Sequence, residues 1–332
     1  MKVIRSLYRS ARDSARHHLW VFWENQPAQR KSAMRNFLFT NASSLFAGTP
    51  PYVQWQEAKA YFDPLLASQV DIVDLKTMPS PKITEAKERK RIAVHAHIFY
   101  AELAPELLGY FNQFPTLFDL YISTPHNQDS ELLSTLFSQC SQIEKLVIQV
   151  TPNQGRDLGP MFAAFGKQLL SYDYFCHIHT KKSISTNSIG QRWRQYLWSS
   201  LLSNQDQRLK KIWSLLQTHA LVYPQKFHWI DVINCQWGGN YTQAIELCQN
   251  LGITPPPDGY IEFPVGSMFW AQAKALAPLL QMELSFDDFD PELGQTDQTL
   301  AHALERLMGY LVLTQGHKIA LIQNPLLLNH YP

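Results

Sequence analysis

Between residues 92 and 180 the hydrophobic and polar positions alternate between two rhythms. RIAVHAHIFY (91–100), FDLYIST (118–124), KLVIQV (145–150) and YDYFCHIH (172–179) are short apolar runs rich in β-branched and aromatic residues, the pattern of buried strands. The segments between them have helical spacing. They are AELAPELLGYFNQF, then 129–140 with Leu132, Leu133, Leu136 and Phe137 on one face, then LGPMFAAFGKQLL. Pro105 is tolerable only in the first turn of its helix. Strands and helices alternating at this spacing predict an α/β protein with a mostly parallel sheet flanked by helices.

The front of the chain has a different pattern. Ile4, Leu7, Tyr8, Ala11, Ala15 and Leu19 recur at helical spacing, and Arg5, Arg9, Arg12 and Arg16 line another face, with Trp20, Phe22 and Trp23 following. The polar stretch KTMPSPKITEAKERKR (76–91) reads as a connector. The expected organisation is a helical basic N-terminal region over 1–78, a linker over 79–91 and a sheet domain over 92–330. Charge sharpens this division. Residues 1–91 carry 15 Lys+Arg against 8 Asp+Glu, and the remainder 14 against 20. A basic amphipathic helix with aromatics is suited to a peripheral contact with an anionic membrane. A helix docked on its own protein, with its basic face in water, fits the same pattern.

The whole 332-residue chain has a net charge of +1, which argues against nucleic acid as a partner. No apolar run approaches the length that spans a bilayer, and the first twenty residues lack the apolar core of a signal peptide. The expected location is the cytoplasm, with the inner face of the plasma membrane as the surface for the basic helix. Cys140, Cys176, Cys235 and Cys248 show no C-x-x-C spacing and read as buried thiols.

Ligands of such sheets bind beyond the carboxyl ends of the strands. That rule gathers His97 and Tyr100, then Ser123 and Thr124, then Asn153, Gly155, Arg156 and Asp157, then His177 and His179 with Lys181 and Lys182. No G-x-G-x-x-G or G-x-x-x-x-G-K-[ST] run is present, so neither a dinucleotide dehydrogenase nor a P-loop NTPase is supported. His177 and His179 share a strand face, but a metal site needs a third ligand. The lysines suit a phosphate. NQGRD offers close backbone approach, a cation and a carboxylate, and it also fits a plain turn before a helix.

The last third adds two dense stretches. FPVGSMFWAQAKAL (263–276) places Gly266 and Ser267 before Phe269 and Trp270, an aromatic pair that forms either a sugar platform or core. DFDPELGQTDQTLAHALERL (288–307) sets Asp290, Glu292 and Asp297 ahead of a helix with His302, Glu305 and Arg306. Such carboxylates are either helix caps or, facing a sugar hydroxyl, a general base.

HAHIFY, FDLYIST, NQGRDLGPM, YDYFCHIHTKKS with GQRWRQYL, WGGN, FPVGSMFWAQAKAL and ELGQTDQTLAHALERL occur in this order over about residues 92–310. In this the chain resembles the rhamnan-synthesis protein F family of bacterial polysaccharide assembly. The resemblance implies a GT-A-like, Rossmann-type sheet domain. It also implies a glycosyltransferase moving rhamnose or a related deoxyhexose from a nucleotide-diphosphate sugar, such as dTDP-rhamnose, to a glycan or lipid-linked glycan on the way to the cell surface, with inversion. A non-catalytic sugar- or nucleotide-binding subunit of an assembly complex is the alternative. Folds of this kind hold manganese or magnesium on a D-x-D at the end of the fourth strand, where this chain has HIHTKK; the metal is therefore left open. The implied roles are Asp297 as base with Glu292 second. The donor nucleotide sugar falls to His97, Tyr100, Thr124, Asn153, Gly155, Arg156, Asp157, His177, His179, Lys181 and Lys182, and the acceptor to Gly266, Ser267, Trp270 and His302.

Overall fold

The computed structural model describes residues 2–25, 28–80, 90–180, 187–230, 233, 235–295 and 297–325. Lys181 and Lys182, and most of the expected linker, lie outside the described residues. The chain divides into two units. One comprises Met1–Ser68, Lys226–Gln236 and Asn324–Pro332, the other Gln69–Gln225 and Trp237–Gln323.

The first unit contains α1 (Lys2–Glu24), α2 (Ala28–Asn41), α3 (Ser43–Phe46) and α4 (Pro50–Ser68). Its small core is aromatic: Phe39, Tyr52 and Trp55 pack together, with Leu38 and Phe46 at the margin. The Trp55 indole N–H donates to Asn36 Oδ1 at 3.0 Å, which satisfies a buried polar group. On α1, Arg16 donates from Nε to the carbonyl of Leu45, so part of the basic face is used within the unit. Trp20 and Phe22 remain exposed. Among the described residues no helix is long and apolar enough to cross a membrane.

The second unit is built on an eight-stranded sheet. Its strands are β1 (Val70–Val73), β2 (Ile92–His97), β3 (Phe118–Thr124), β4 (Ile143–Val150), β5 (Tyr174–His179), β6 (Leu221–Pro224), β7 (Phe269–Gln272) and β8 (Ile319–Ile322), in the order β1-β8-β6-β7-β5-β2-β3-β4. Only β7 runs antiparallel to its neighbours β5 and β6. The architecture is α/β and GT-A-like, with the helical extension in front. Val70–Val73, inside the segment expected to be helical, forms an edge strand because it pairs in parallel with β8.

The two faces of the central strands differ in chemistry. On one face Val94, Ala96, Leu120, Ile122, Cys176, Ile178 and Trp270 join the main core. They pack there with Leu107 and Phe111 of α5 (Ala104–Phe111), Leu133 and Phe137 of α6 (Asp129–Phe137), and Leu197, Trp198 and Leu201 of α8 (Asn187–Leu202). The other face carries His95, His97, Tyr121, Ser123, Phe175, His177, His179 and Phe269, all buried. Every residue of β2 and of β5 is buried, as expected for central parallel strands covered on both sides.

The stretch expected as one helix after β4 is broken. A π-helical turn (Pro160–Ala164) is followed by α7 (Gly166–Leu169), with Phe165 between them at φ −124°, ψ 0°. That break seats the Phe165 ring against His95 and Tyr121, centroids 5.3 Å away in each case. A single-turn π insertion of this sort is frequent at functional sites.

Candidate active site

The chain runs β2, β3, β4 outward in one direction, then crosses back to place β5 on the other side of β2. The strand order therefore reverses between β2 and β5, and a ligand crevice is expected at their carboxyl ends. His97 and His179 end those strands, and they pair in register, as do His95 and His177. Because β7 is antiparallel, the loop leading into it arrives at the same rim and delivers Gly266 and Ser267.

Side-chain hydrogen bonds link the rim residues into a line. Asp157 Oδ2 lies 3.0 Å from His177 Nε2, and His177 Nδ1 lies 2.9 Å from His95 Nδ1. His95 Nε2 is 3.1 Å from Ser123 Oγ, which is 2.9 Å from His97 Nδ1. His179 stands beside this line, its Nε2 3.0 Å from the carbonyl of Gly266 and its Nδ1 3.3 Å from that of Thr180.

Burial decides the charges. It pushes the His97 imidazole down to about 3, with the neighbouring His179, His177 and His126 adding to the effect against the pull of Asp157. Burial likewise drives His95 well below the ordinary value, and it lowers His177 despite the bond from Asp157. These three rings are neutral at pH 7. Burial raises the Asp157 carboxyl, but His179 and the hydrogen bond from His177 outweigh it and hold the group ionised.

A second layer comes from the segment before α9 (Leu300–Thr314) and from that helix itself. Asn240 Nδ2 donates to Asp297 Oδ1 at 2.6 Å, and Arg306 approaches the same oxygen at 3.3 Å. Asp297 is about one-third exposed. Arg156 reaches the carbonyl of Gln295 and faces Glu292 at 3.5 Å. Burial raises the Glu292 carboxyl, against the counter-effect of Arg156. His302 is bonded through Nδ1 to Thr299 Oγ1 at 2.7 Å. It is lowered to about 4, chiefly by burial, and the charges of Arg156, Asp297, Arg306 and Asp157 all act on it. The two layers therefore share one electrostatic environment.

The turn that positions Asp157 is tightly held. Gly155 has φ +69°, and a Cβ there would lie 2.4 Å from a ring carbon of Phe289. Arg156 follows at φ +55°, and Ser267 and Gln298 are also left-handed. Among the described residues, three of the six non-glycine residues with positive φ thus sit at this rim, the pattern of strain held at functional sites. Glu305 Oε1 accepts from the Gly266 N–H at 2.8 Å and the Ser267 hydroxyl at 3.3 Å, pinning the loop before β7.

The structure brings together His97, Arg156, Asp157, His177, His179, Gly266, Ser267, Glu292, Asp297 and His302. Thr124 is buried, its Oγ1 accepting from the His126 N–H at 3.3 Å. The Tyr100 N–H donates to Thr180 Oγ1 at 3.0 Å. Asn153 is exposed. Trp270 is corrected: it is fully buried on the opposite face, its indole N–H donating to the Leu201 carbonyl at 2.9 Å, so it is core and not a sugar platform. His95, Ser123, Asn240 and Glu305 also belong to the site. HAH (95–97) repeats the H-x-H pattern of HIH (177–179), and that repeat was the readable signal for His95.

The donor set does not fit the divalent ion that GT-A folds hold at this strand end. Both nitrogens of His177 are already hydrogen-bonded within the protein, and both nitrogens of His179 face backbone carbonyls. Among the described residues no three His, Cys, Asp or Glu side chains converge as a metal site. A cavity of about 350 Å³ lined by Lys90, Tyr172, Tyr174 and Lys274 lies at the amino ends of β2 and β5, the end where ligands of such sheets do not bind.

Residues 64–317 match the family model described as rhamnan synthesis protein F. The chain belongs to that family. Two relatives, each named uncharacterized protein WxcX, come from Xanthomonas campestris pv. campestris strains B100 and ATCC 33913. Each is 31% identical over 234 residues, which is 69% of this chain and 32% of the relative. The match thus spans about a third of the length of these relatives. The family model runs from residue 64 to residue 317, so it covers β1 to β7, stops just before β8, and leaves out almost all of the helices before β1.

Proposed function

We propose that the chain is a glycosyltransferase that moves rhamnose or a related deoxyhexose from a nucleotide-diphosphate sugar to a growing cell-surface polysaccharide, inverting the anomeric centre. One observation supports this above the others. Asp297 has one carboxylate oxygen anchored by Asn240 and Arg306, while Oδ2 accepts no hydrogen bond among the described residues. A Cβ on Gly238 would come no nearer to that oxygen than 3.6 Å, so space is left beside it. An oriented carboxylate with one open oxygen suits general base catalysis.

In this reading Asp297 Oδ2 takes the proton of the acceptor hydroxyl as its oxygen attacks the anomeric carbon. The bond from that carbon to the diphosphate oxygen breaks, and the nucleoside diphosphate leaves with the electron pair. Fixed cations stabilise charge that develops on a leaving group; Arg156 and Arg306 are the described candidates, and Lys181 and Lys182 follow on from β5. Glu292, raised by burial, is the second candidate base. No step of this scheme runs through a metal ion. The acceptor would rest against Ser267 and His302.

The test incubates the purified chain with dTDP-rhamnose and a glycan acceptor, and measures both dTDP release and the mass of the glycan. Wild type should transfer, and Asp297→Asn should be slower by roughly 10²-fold or more. Binding of dTDP-rhamnose without transfer or hydrolysis would sink the enzyme and favour a sugar-binding subunit. Glu292→Gln abolishing turnover while Asp297→Asn retains it would reassign the base.

A further inference from the structure

The line from Asp157 to His97 has only one consistent arrangement of protons. An ionised carboxylate only accepts hydrogen bonds, and a neutral imidazole has one donor and one acceptor nitrogen. Asp157 therefore requires the proton of His177 on Nε2, which leaves His177 Nδ1 as an acceptor. His95 must then carry its proton on Nδ1 and accept at Nε2. The Ser123 hydroxyl must donate to His95 Nε2, so its oxygen accepts from His97 Nδ1–H. The order ends with a bare lone pair on His97 Nε2, for which no hydrogen-bond partner occurs among the described residues.

Each link is buried. His95, Ser123 and His177 are fully enclosed, and Asp157 and His97 nearly so, so water does not compete for these bonds. Reversing the order at any one link would set two donors or two acceptors face to face in a dry interior, which is costly. The carboxylate at one end thus sets the hydrogen-bonding character of the imidazole at the other. Flat surfaces stand near that imidazole. Phe99, two residues beyond it, packs against His126 with centroids 5.1 Å apart and against Tyr100 at 4.9 Å. His126 is close enough for its charge to act on His97.

We propose that Asp157, acting through His177, His95 and Ser123, locks His97 Nε2 as a hydrogen-bond acceptor for an N–H or O–H donor on the bound ligand. Asp157, His177, His95 and Ser123 are positioning residues, and His97 is the contact. Two groups of a nucleotide sugar present that chemistry: the imide N–H of a thymine-type base, and the hydroxyls of its sugars. An acceptor at this point disfavours cytosine, whose ring nitrogen at the same place is itself an acceptor. The identity of the ligand rests on the nucleotide-sugar reading above, whereas the proton order does not.

The experiment is long-range ¹H–¹⁵N correlation of the full chain labelled in its histidines, at pH 7, with and without nucleotide. Wild type should show unprotonated nitrogens at His97 Nε2, His95 Nε2 and His177 Nδ1. A protonated His97 Nε2 would overturn the proposal without any variant being made, and would leave the glycosyltransferase reading intact. Asp157→Ala should turn the single His97 signature into a mixture of tautomers, and Ser123→Ala should do the same, whereas Ser123→Thr should keep it. An unchanged His97 signature in a folded Asp157→Ala variant would also overturn it.

Ligand titrations locate the donor group. A change at His97 Nε2 with dTDP but not dCDP assigns it to the base imide, with dTDP bound about tenfold or more tightly than dCDP. A change common to dTDP and dCDP assigns it to the deoxyribose, and one confined to dTDP-rhamnose assigns it to the transferred sugar. No change with any of the three overturns the contact. Loss of transfer activity with these signatures intact would instead count against the reaction.

Discussion

Acidification from pH 7 to pH 5 should destabilise the sheet unit by a predictable amount, because its buried histidines refuse protons that the unfolded chain accepts. An unfolded histidine titrates near 6.5. In the native protein His97 is held at about 3 and His95 well below the ordinary value, in both cases chiefly by burial. Below pH 6.5 the unfolded state therefore binds more protons than the native state, and stability falls as the pH falls. This contribution is complete above 6.5 and drains away between there and about 3. At pH 5 the His97 ring costs about 2 kcal/mol, and His95 adds to that loss in the same direction. His177 and His302 are also lowered and act in the same direction. Asp157 does not oppose them in this window, because it is ionised in the native state and largely so in the unfolded chain. A loss of about 2 kcal/mol from one ring is already a sizeable part of the roughly 5–15 kcal/mol that holds a domain together. Urea unfolding at constant ionic strength, followed by the fluorescence of the buried Trp198, Trp237 and Trp270, measures it. His97→Asn retains an amide near the position of Nδ1 and removes one titration, so the loss between pH 7 and pH 5 should shrink by about 2 kcal/mol. Equal stability at the two pH values, or an unaltered loss in His97→Asn, would refute the account.

Gly155→Ala should cost about 2–4 kcal/mol, from the positive φ and from the Cβ driven into Phe289, and thermal melts would register it. Trp270→Ala should cost about 3–5 kcal/mol in urea unfolding; a selective rise in acceptor KM without that loss would return Trp270 to the acceptor site. Arg156→Ala should raise the Glu292 carboxyl further, since the arginine opposes the effect of burial there; ¹³C titration of the carboxyl carbons reads the direction, and a fall would contradict the pairing.

Much of the scaffold was legible from local pattern. β2, β3 and β5 fall within the apolar runs that announce them, since a strand buried on both faces needs continuous apolar residues whatever its neighbours are; the edge strand β4 overlaps its run but starts two residues earlier, at Ile143. The carboxyl-end rule collects His97, Asp157 and His179 at or just beyond the ends of separate strands. Other features had no local signature. Val70–Val73 is a strand only because β8, some 250 residues later, pairs with it. Phe165 breaks a stretch of helical pattern because His95 and Tyr121 wait beneath it. Trp270 and Phe269 are adjacent apolar aromatics, and strand alternation sends one to the core and the other to the histidine face.

The sequence by itself determined that strands would alternate with helices and that polar groups would collect where strands end, because periodicity and strand direction are properties of short segments. Only the tertiary structure decided that HAH and HIH lie side by side in register. That pairing is set by strand order, and strand order depends on how distant faces bury one another. It converts three of those histidines, a serine and a carboxylate into one dry assembly in which each ring's proton position depends on its neighbour's.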